Sequence, residues 1–358
     1  MDSLLLETND TAQLPAARAD FDARRVKINP DHWYPLAWSR EVKPGKMLAV
    51  RFAGAPLVLV RPLQGAVFAL ENRCAHRQVP LDAGVVKGCA VRCGYHGWTY
   101  DASGKCVDVP YIGKGKLPNG VRAYPCREEK GMIFVFPGDP EKSGSFPEIT
   151  AAGGGHKTRR FGREIKCHYS FMHENLMDMN HQFLHRKQMG QIRPRYLGRR
   201  MGDDWLEVKY TFARTGGSQP LGETALFGGK RTPDVNDKDV MTIRTEYPYQ
   251  TLRIIPAGGE MPVMDLWIVY VPQDAEQRTI RSFGLLSIGR PKSLIGRIGL
   301  DIGWPFLVAF TERIFKEDQG IVEAEQAAHD AQGGNRNQEV FPVIRELTGL
   351  LTSCGVKA

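Results

Sequence analysis

The pattern of apolar and polar positions divides the chain into two parts of different regularity. Up to about residue 140, short apolar runs alternate with breaks that contain glycine or proline. The clearest of these runs cover residues 48–52, 57–60, 67–70 and 132–136. We therefore predict a small antiparallel β domain over residues 32–140, preceded by a polar, weakly patterned arm over residues 1–31.

The second part of the chain combines longer strand-like stretches with helical ones. A linker rich in glycine and serine, residues 141–160, separates it from the first part. Helical patterns cover residues 169–189 and 311–331, and strand-like patterns cover residues 205–212, 240–247, 251–255, 264–271 and 280–288. This order predicts an α+β domain over residues 161–358, in which an antiparallel sheet wraps around a long helix in a helix-grip-like layout.

Composition and charge limit the classes of protein to consider. The chain has 358 residues, of which 42% are hydrophobic, and this suits a globular protein of two domains. Its formal net charge is +8, but it has no basic helix with interleaved aromatic residues, so we expect no nucleic-acid binding. The densest basic run, residues 193–200, is broken by Pro194 and Gly198. It is either a solvated loop or a landing site for an acidic electron donor.

Membrane and secretory signals are weak along the whole chain. No run of 18 apolar residues is present, so we expect a cytoplasmic protein without a transmembrane segment. Asp2 and Glu7 stand where a signal peptide carries positive charge. The apolar stretch 303–310 is short and contains Pro305, which favours a buried helix start, with a patch for peripheral membrane contact as the alternative. The cysteines outside the motifs below are scattered, as is typical of reduced cytosolic thiols.

Two pairs of metal-ligand residues follow each other in the first predicted domain. Cys74 and His76 form the first pair and Cys93 and His96 the second, with 16 residues between His76 and Cys93. Zinc fingers usually keep like ligands together, whereas each pair here holds one cysteine and one histidine. This is the ligand order of a Rieske [2Fe–2S] cluster, in which two thiolates bind one iron and two imidazoles bind the other. A zinc site, or core cysteines beside surface histidines, is the alternative.

A second group of ligand residues lies on the first predicted helix of the second domain. His181 and His185 are four residues apart and would share one helical face, with Asp178 and Asn175 on preceding turns. Two imidazoles and one carboxylate on one side of Fe(II) leave positions for O₂ and substrate, as in non-haem iron oxygenases. We therefore predict a mononuclear iron site. A polar helix with solvated histidines is the alternative.

The two motifs together resemble the Rieske non-haem iron oxygenases, the family of aromatic-ring-hydroxylating terminal oxygenase α subunits. The arms read Cys-x-His-Arg and Cys-x-x-His-Gly-Trp, and the helix reads Asn-x-x-Asp-x-x-His-x₃-His, where the family more often has four intervening residues. The likeness extends over about residues 32–326. It implies that Asp318 completes the iron site, with Glu323 and Asp330 as the other choices.

The resemblance also assigns roles to the two remaining residues of the helix motif. It implies that Asp178 bonds His181 in its own chain and His96 of a neighbouring subunit. Such a bridge requires a ring-shaped oligomer, which in this family is a trimer, with or without a separate β subunit. Asn175 would bond water near the iron, or would only pack or cap the helix.

The function that the resemblance implies is that of a terminal oxygenase. It would receive electrons from NAD(P)H indirectly, through a ferredoxin or a ferredoxin reductase, and use O₂ at Fe(II) to hydroxylate an apolar, aromatic or polycyclic substrate. No Gly-x-Gly-x-x-Gly motif follows a predicted strand, which fits a separate reductase. The alternatives are an oxidative demethylase or desaturase of a methoxy aromatic or sterol-like lipid, and a Rieske electron-transfer protein without oxygenase activity.

Overall fold

Antiparallel sheets and two long helices make up most of the chain. The computed structural model describes residues 22–112, 117–150, 155–216, 239–256, 259 and 261–357. Most of the predicted arm, residues 1–21, lies outside these ranges. The combination of separate helices with antiparallel sheets confirms the α+β class expected from the sequence.

Short strands build the N-terminal part of the described chain. They are β1 (Val26–Lys27), β2 (Tyr34–Trp38), β3 (Lys46–Phe52), β4 (Ala55–Arg61), β5 (Phe68–Glu71), β6 (Val85–Lys87), β7 (Ala90–Arg92), β8 (Thr99–Asp101), β9 (Cys106–Asp108), β10 (Ala123–Tyr124), β11 (Cys126–Glu129) and β12 (Met132–Val135). Three antiparallel sheets result, with the orders β10-β5-β4-β3, β11-β12-β2 and β6-β7-β8-β9. The four motif residues lie in the loop before β6 and in the turn between β7 and β8.

One eight-stranded antiparallel sheet dominates the second part. Its strands are β13 (His156–Phe161), β14 (Glu164–Ile165), β15 (Gln191–Met201), β16 (Trp205–Gly216), β17 (Val240–Glu246), β18 (Tyr249–Ile255), β19 (Met264–Pro272) and β20 (Ile280–Gly289). The order is β13-β20-β19-β18-β17-β16-β15, and β14 also pairs with β20. The helices are α1 (Tyr169–Met177), α2 (Arg186–Met189), α3 (Leu294–Ala331) and α4 (Pro342–Cys354), after which β21 (Val356–Lys357) pairs with β1.

The two parts are joined by a shared hydrophobic core. Trp38 of β2 packs on Phe283 of β20 with ring centroids 5.4 Å apart, and Phe134 of β12 lies 6.2 Å from Trp267 of β19. All four side chains are buried. The β2–β12 sheet therefore supports the large sheet from behind, and the N-terminal domain is anchored to the domain that holds the second motif.

The predicted linker is wrong at its C-terminal end. Residues 156–160 belong to β13, which pairs along its whole length with β20. The side chains of this strand are polar because they pair with residues that are distant in sequence. Lys157 pairs with Asp301 at 2.5 Å, and Arg159 donates a hydrogen bond to the carbonyl of Val308 at 3.1 Å, both on α3. The polar face of β13 is thus a contact surface for the long helix.

The basic run 193–200 is a strand and not a loop. It forms most of β15, the edge strand of the large sheet, and the pairing with β16 shifts register between Tyr196 and Gly198. Gly198 has φ +135°, a conformation that glycine adopts more readily than other residues. Arg199 is held by Glu346 of α4 at 2.5 Å. The glycine that suggested a break in secondary structure therefore marks a bulge within a strand.

The predicted helix over residues 169–189 is divided into three pieces. α1 ends at Met177, a 3₁₀ helix spans Met179–Phe183, and α2 follows. Asp178 interrupts the helix with extended backbone angles of φ −92° and ψ 94°. Its carboxylate then caps the next turn, because it accepts a hydrogen bond from the N–H of Asn180 at 2.8 Å. The expected continuous helical face for the two histidines is therefore wrong.

α3 is longer and more exposed than the sequence pattern indicated. It begins at Leu294 rather than near residue 311, so the stretch 303–310 lies inside it and Phe306 is exposed. The expected buried helix start there is wrong, and the exposed Pro305 is accommodated within the helix. By length and composition, α3 is the one helix of the described residues that could cross a membrane. Only 11% of its apolar 18-residue segment is buried. A search for unbroken apolar runs misses it because Arg297 and Asp301 interrupt the run.

Candidate metal centres and substrate cavity

The two loops that carry the cysteine–histidine pairs have the same backbone geometry. In the first, the N–H of Cys74 donates to the carbonyl of Val79 at 2.9 Å, and the carbonyl of Cys74 accepts from the N–H of Gln78 at 2.9 Å. In the second, Cys93 makes the equivalent bonds with Trp98 at 2.8 Å and with Gly97 at 3.2 Å. Two short loops of matching shape thus present one cysteine and one histidine each.

A left-handed residue closes each loop. Gln78 has φ +62° and Gly97 has φ +76°. At Gly97 a side chain would also meet Pro110, because an added Cβ would lie 2.9 Å from the Pro110 Cγ atom. The glycine after His96 is therefore favoured by backbone conformation and required by space.

The four side chains of these loops converge beside each other. Cys74 and Cys93 are 2% and 3% exposed, and the rings of His76 and His96 have centroids 4.6 Å apart. Trp98 stacks on His76 at 4.7 Å and 3°. The Nδ1 atom of His76 is buried without a hydrogen-bond partner. A buried nitrogen of this kind is costly unless it binds something, so the residues fit a [2Fe–2S] cluster with two thiolate and two imidazole ligands.

Tyr100 supports the first loop from the core and was not identified from the sequence. Its hydroxyl accepts a hydrogen bond from the N–H of Ala75 at 3.1 Å and lies 3.2 Å from Cys74 Sγ. Burial and the neighbouring Cys74 raise the pKa of Tyr100, so the hydroxyl keeps its proton. Because the oxygen already accepts from Ala75, its proton is available to the sulfur.

The second site unites three residues from distant parts of the chain. His181, His185 and Asp318 have potential ligand atoms within 4.8 Å of one another. The Oδ1 atom of Asp318 lies 3.1 Å from His185 Nε2 and 3.7 Å from His181 Nε2. Both His185 Nε2 and Asp318 Oδ1 are buried without a hydrogen-bond partner. Two imidazoles and one carboxylate therefore face a common point, as a mononuclear Fe(II) requires.

The outer nitrogens of both imidazoles are held by the protein. His185 Nδ1 bonds Glu317 Oε2 at 2.8 Å, and Gln188 donates to the other oxygen of Glu317 at 2.7 Å. His181 Nδ1 bonds the backbone carbonyl of Asp178. Each bond places the proton on Nδ1 and leaves Nε2 free to bind a metal. Glu317 directly precedes Asp318, and this adjacency is the only sequence signal that could have identified it.

The surroundings of His185 favour a positive charge at this point. Burial lowers the pKa of His185, but the negative charges of the adjacent Asp318 and Glu317 carboxylates outweigh it and leave the pKa above its ordinary value. The same two carboxylates stabilise a divalent cation held between the imidazoles and Asp318.

The other carboxylates proposed from the sequence lie elsewhere on α3. Glu323 accepts from the N–H of Lys166 at 2.9 Å, and Asp330 pairs with Arg278. Both are thus engaged in contacts away from the two imidazoles, and Asp318 is the carboxylate that the structure places with them.

Asp178 and Asn175 occupy positions that differ from the expected ones. The carboxylate of Asp178 bonds Asn180, and its backbone carbonyl, rather than its side chain, bonds His181. The expected side-chain bond within the chain is therefore wrong, because the helix break turns the peptide carbonyl toward the imidazole. Asn175 is half-buried in α1 and is not among the described residues that line the cavity beside the site.

An apolar cavity extends from the three ligand residues into the second domain. Its empty volume is about 880 Å³ with its open mouth included. His181, His185 and Asp318 form its polar end. The sheet and α3 supply most of the remaining wall, which includes Phe212, Met241, Leu252, Leu266, Leu286 and Phe315. The composition of the wall suits an apolar ligand.

Comparisons with known proteins agree with both sites. Residues 32–125 match the family model of the Rieske [2Fe–2S] domain. Residues 165–343, half of the chain, match the model of the vanillate O-demethylase oxygenase C-terminal domain.

Individual proteins similar to this chain are also oxygenases with names of this kind. The chain is 33% identical over 292 residues to the 4β-methylsterol monooxygenase of Methylococcus capsulatus (strain Bath). The aligned region covers 79% of this chain and 74% of the relative. It is 34% identical over 168 residues to the oxygenase component of dicamba O-demethylase from Stenotrophomonas maltophilia, 43% of this chain and 47% of that one. The crystal structure of dicamba monooxygenase bound to dicamba has the same fold, with a TM-score of 0.69, 23% identity and coverage of 92% and 98%.

Replacement of Tyr100 by Phe should lower the reduction potential of the cluster. A hydrogen bond to a ligand sulfur stabilises the more negative, reduced form. A net hydrogen bond contributes about 1 kcal/mol, which corresponds to roughly 40 mV for one electron. A redox titration followed by EPR measures the shift, with Tyr111→Phe as control because Tyr111 bonds Trp98 instead. An unchanged potential in Tyr100→Phe contradicts a hydrogen bond to sulfur.

Asp318→Asn should remove the mononuclear iron and leave the [2Fe–2S] cluster in place. A neutral amide replaces the carboxylate that, among the described residues, lies close to the Nε2 atoms of both imidazoles. Total iron per chain and acid-labile sulfide measure the two sites separately. Asp330→Asn is the matched control on the same helix and should retain all iron. Loss of iron in Asp330→Asn together with retention in Asp318→Asn would show that Asp318 is not the ligand.

Glu317→Gln should weaken Fe(II) binding by roughly 10- to 100-fold, the usual effect of removing a carboxylate that orients a ligand imidazole. Titration of the iron-depleted second site with Fe(II) under anaerobic conditions gives the dissociation constant. Glu323→Gln is the control, since Glu323 bonds Lys166 rather than a ligand. Equal affinities in the two variants would show that Glu317 does not hold His185 for the metal.

Proposed function

The chain belongs to the Rieske non-haem iron oxygenases, and we propose that it hydroxylates an aliphatic carbon of a large, sterol-like polycyclic lipid. Membership rests on the two family models and on the methylsterol monooxygenase relative. The chain is thus an oxygenase with a Rieske [2Fe–2S] cluster and a mononuclear iron. When bound, the cluster supplies single electrons and the iron supplies O₂ binding and activation.

The observation that carries the proposed substrate is the lining of the cavity. The described lining residues include no lysine and no arginine that could pair with a carboxylate. Transfer of an anionic substrate into such a cavity would leave its charge without a partner, which is strongly unfavourable. This disfavours aromatic acids and favours a neutral, apolar molecule.

One side chain of the wall offers a polar contact to such a molecule. Gln182 lines the cavity, and its Nε2 donates to the carbonyl of Ile192 at 2.9 Å, which fixes the orientation of the amide. Its Oε1 is buried without a hydrogen-bond partner. Apart from atoms of the iron ligands, it is the only such atom among the described lining residues. An acceptor in an apolar wall suits a substrate that carries one hydroxyl group.

The position of Gln182 also bears on which carbon is oxidised. Gln182 directly follows His181, so a hydroxyl bound there would place the neighbouring ring carbons near the iron ligands. The relative named 4β-methylsterol monooxygenase supports oxidation of a methyl group beside a hydroxyl-bearing ring carbon. The sterol-like alternative is therefore favoured over hydroxylation of an aromatic ring.

The other residues of the chain exclude water and hold the metal ligands. The apolar wall keeps solvent away from the reacting carbon, and Glu317 with the Asp178 carbonyl keeps both Nε2 atoms directed at the metal. We further propose a cytoplasmic homotrimer that receives electrons from a ferredoxin or reductase. In it, the half-buried Asp178 carboxylate would reach His96 of the neighbouring subunit. The basic edge strand β15 is a landing site for an acidic donor in this proposal.

The test compares two substrates with the complete electron-transfer system. A 4-methylsterol with a free 3-hydroxyl should be oxidised at the methyl group with one oxygen atom from ¹⁸O₂, and a methoxybenzoate should not react. Gln182→Leu should lose at least tenfold in kcat/KM for the hydroxysterol and little for its 3-deoxy analogue, because only the hydroxyl needs the acceptor. Oxidation of the methoxybenzoate in preference to both sterols would contradict the proposed substrate.

A further inference from the structure

The first four turns of α3 expose apolar side chains that no described residue covers. Leu294, Ile295, Ile298, Ile302 and Phe306 are each between 52% and 85% exposed. We call these five residues the apolar face. Monomeric soluble proteins rarely expose so continuous a hydrophobic surface unless something binds to it.

The apolar face is one continuous side of the helix. At 100° per residue, its five members fall within roughly 120° of the circumference. Pro305 and Ala309 also lie in this arc, and no charged residue does until Glu312. Arg297 and Asp301 lie outside the arc, at its side. The surface is therefore a stripe about four turns long, interrupted by no polar group.

Other sides of the same turns are attached to the large sheet. Leu307 is buried, Asp301 pairs with Lys157 of β13, and the carbonyl of Val308 accepts from Arg159. A helix held in this way cannot cross a bilayer as an isolated rod, since it would carry the charged side chains of β13 into the hydrocarbon. It can lie flat, with the apolar face toward the lipid.

Charge at the border of the apolar face identifies the kind of surface that it fits. Lys292, Arg297 and Arg313 are exposed and have no ion pair within the described part of the chain. The acidic residues nearby are neutralised, Asp301 by Lys157 and Glu312 by Arg159 and Arg163. The border is thus positive, which complements an anionic membrane surface and repels a second copy of the same face.

We propose that the apolar face lies at the boundary of headgroups and acyl chains of an anionic bilayer. The helix continues directly from this face to the cavity, because Thr311, Phe315 and Asp318 of α3 line it. Phe306 and Phe315 are separated by roughly 13 Å along the helix axis, at 1.5 Å per residue. A lipid substrate would thus enter from the membrane beside the cavity. This role as an entry route rests on the proposed sterol-like substrate, whereas the membrane contact does not.

The experiment is flotation of the holoenzyme with lipid vesicles. One set contains phosphatidylcholine with 30% phosphatidylglycerol, and the other contains phosphatidylcholine alone. The wild type should float with the anionic vesicles, and less so with neutral vesicles or at high salt. The variant Ile302→Glu/Phe306→Glu should bind at least tenfold more weakly, because two apolar anchors are lost at exposed positions where folding does not depend on them. Val340→Glu, also at an exposed apolar position but outside the face, should bind as the wild type does.

Two results would overturn the proposal. One is a wild type that does not float with anionic vesicles. The other comes from sedimentation without lipid: the wild type and Val340→Glu form an oligomer, and Ile302→Glu/Phe306→Glu does not. A second copy of the chain would then cover the apolar face. Vesicle binding is measured without turnover, so an enzyme that floats but leaves sterols unoxidised contradicts the proposed substrate alone. Cluster EPR and iron content of each variant verify that the fold is intact.

Discussion

The burial of unpartnered ligand atoms is the constraint on which the second domain depends. His185 Nε2 and Asp318 Oδ1 are enclosed without a hydrogen bond, and such atoms cost about 1–3 kcal/mol each unless a cation binds them. The surrounding structure holds these ligand atoms in place. The break after α1 turns the Asp178 carbonyl toward His181, and Glu317 holds His185 from the other side. The metal centre is therefore built from irregular backbone supported by one regular helix.

The parts of this arrangement that are local in sequence could be predicted, and those that depend on distant partners could not. The strands β17 and β18 alternate buried and less buried residues, and that period was visible in the sequence. The polar strand β13 cannot be recognised from the sequence, because its cationic residues find their partners on α3, about 150 positions away. The ligand types and spacings pointed to the metals, but the helix break at Asp178 depends on a side-chain cap that periodicity does not show.

The long helix α3 connects three features that the sequence presents separately. Its C-terminal half brings Asp318 and Glu317 to the imidazoles, its middle forms one wall of the cavity, and its first turns carry the apolar face. Phe315 stacks on Phe161 of β13 at 4.4 Å, which fixes the helix against the sheet at the level of the cavity. Substrate entry, cavity shape and metal geometry are thus coupled through one rigid element.

The central claim is that one chain holds both a Rieske cluster and an open mononuclear iron site. EPR of the anaerobic, dithionite-reduced protein before and after addition of nitric oxide tests it most directly. The account predicts a rhombic Rieske signal and, after nitric oxide, a new high-spin iron–nitrosyl signal that disappears in Asp318→Asn. A Rieske signal without any nitrosyl species, in protein reconstituted with Fe(II), would contradict the account and would leave an electron carrier.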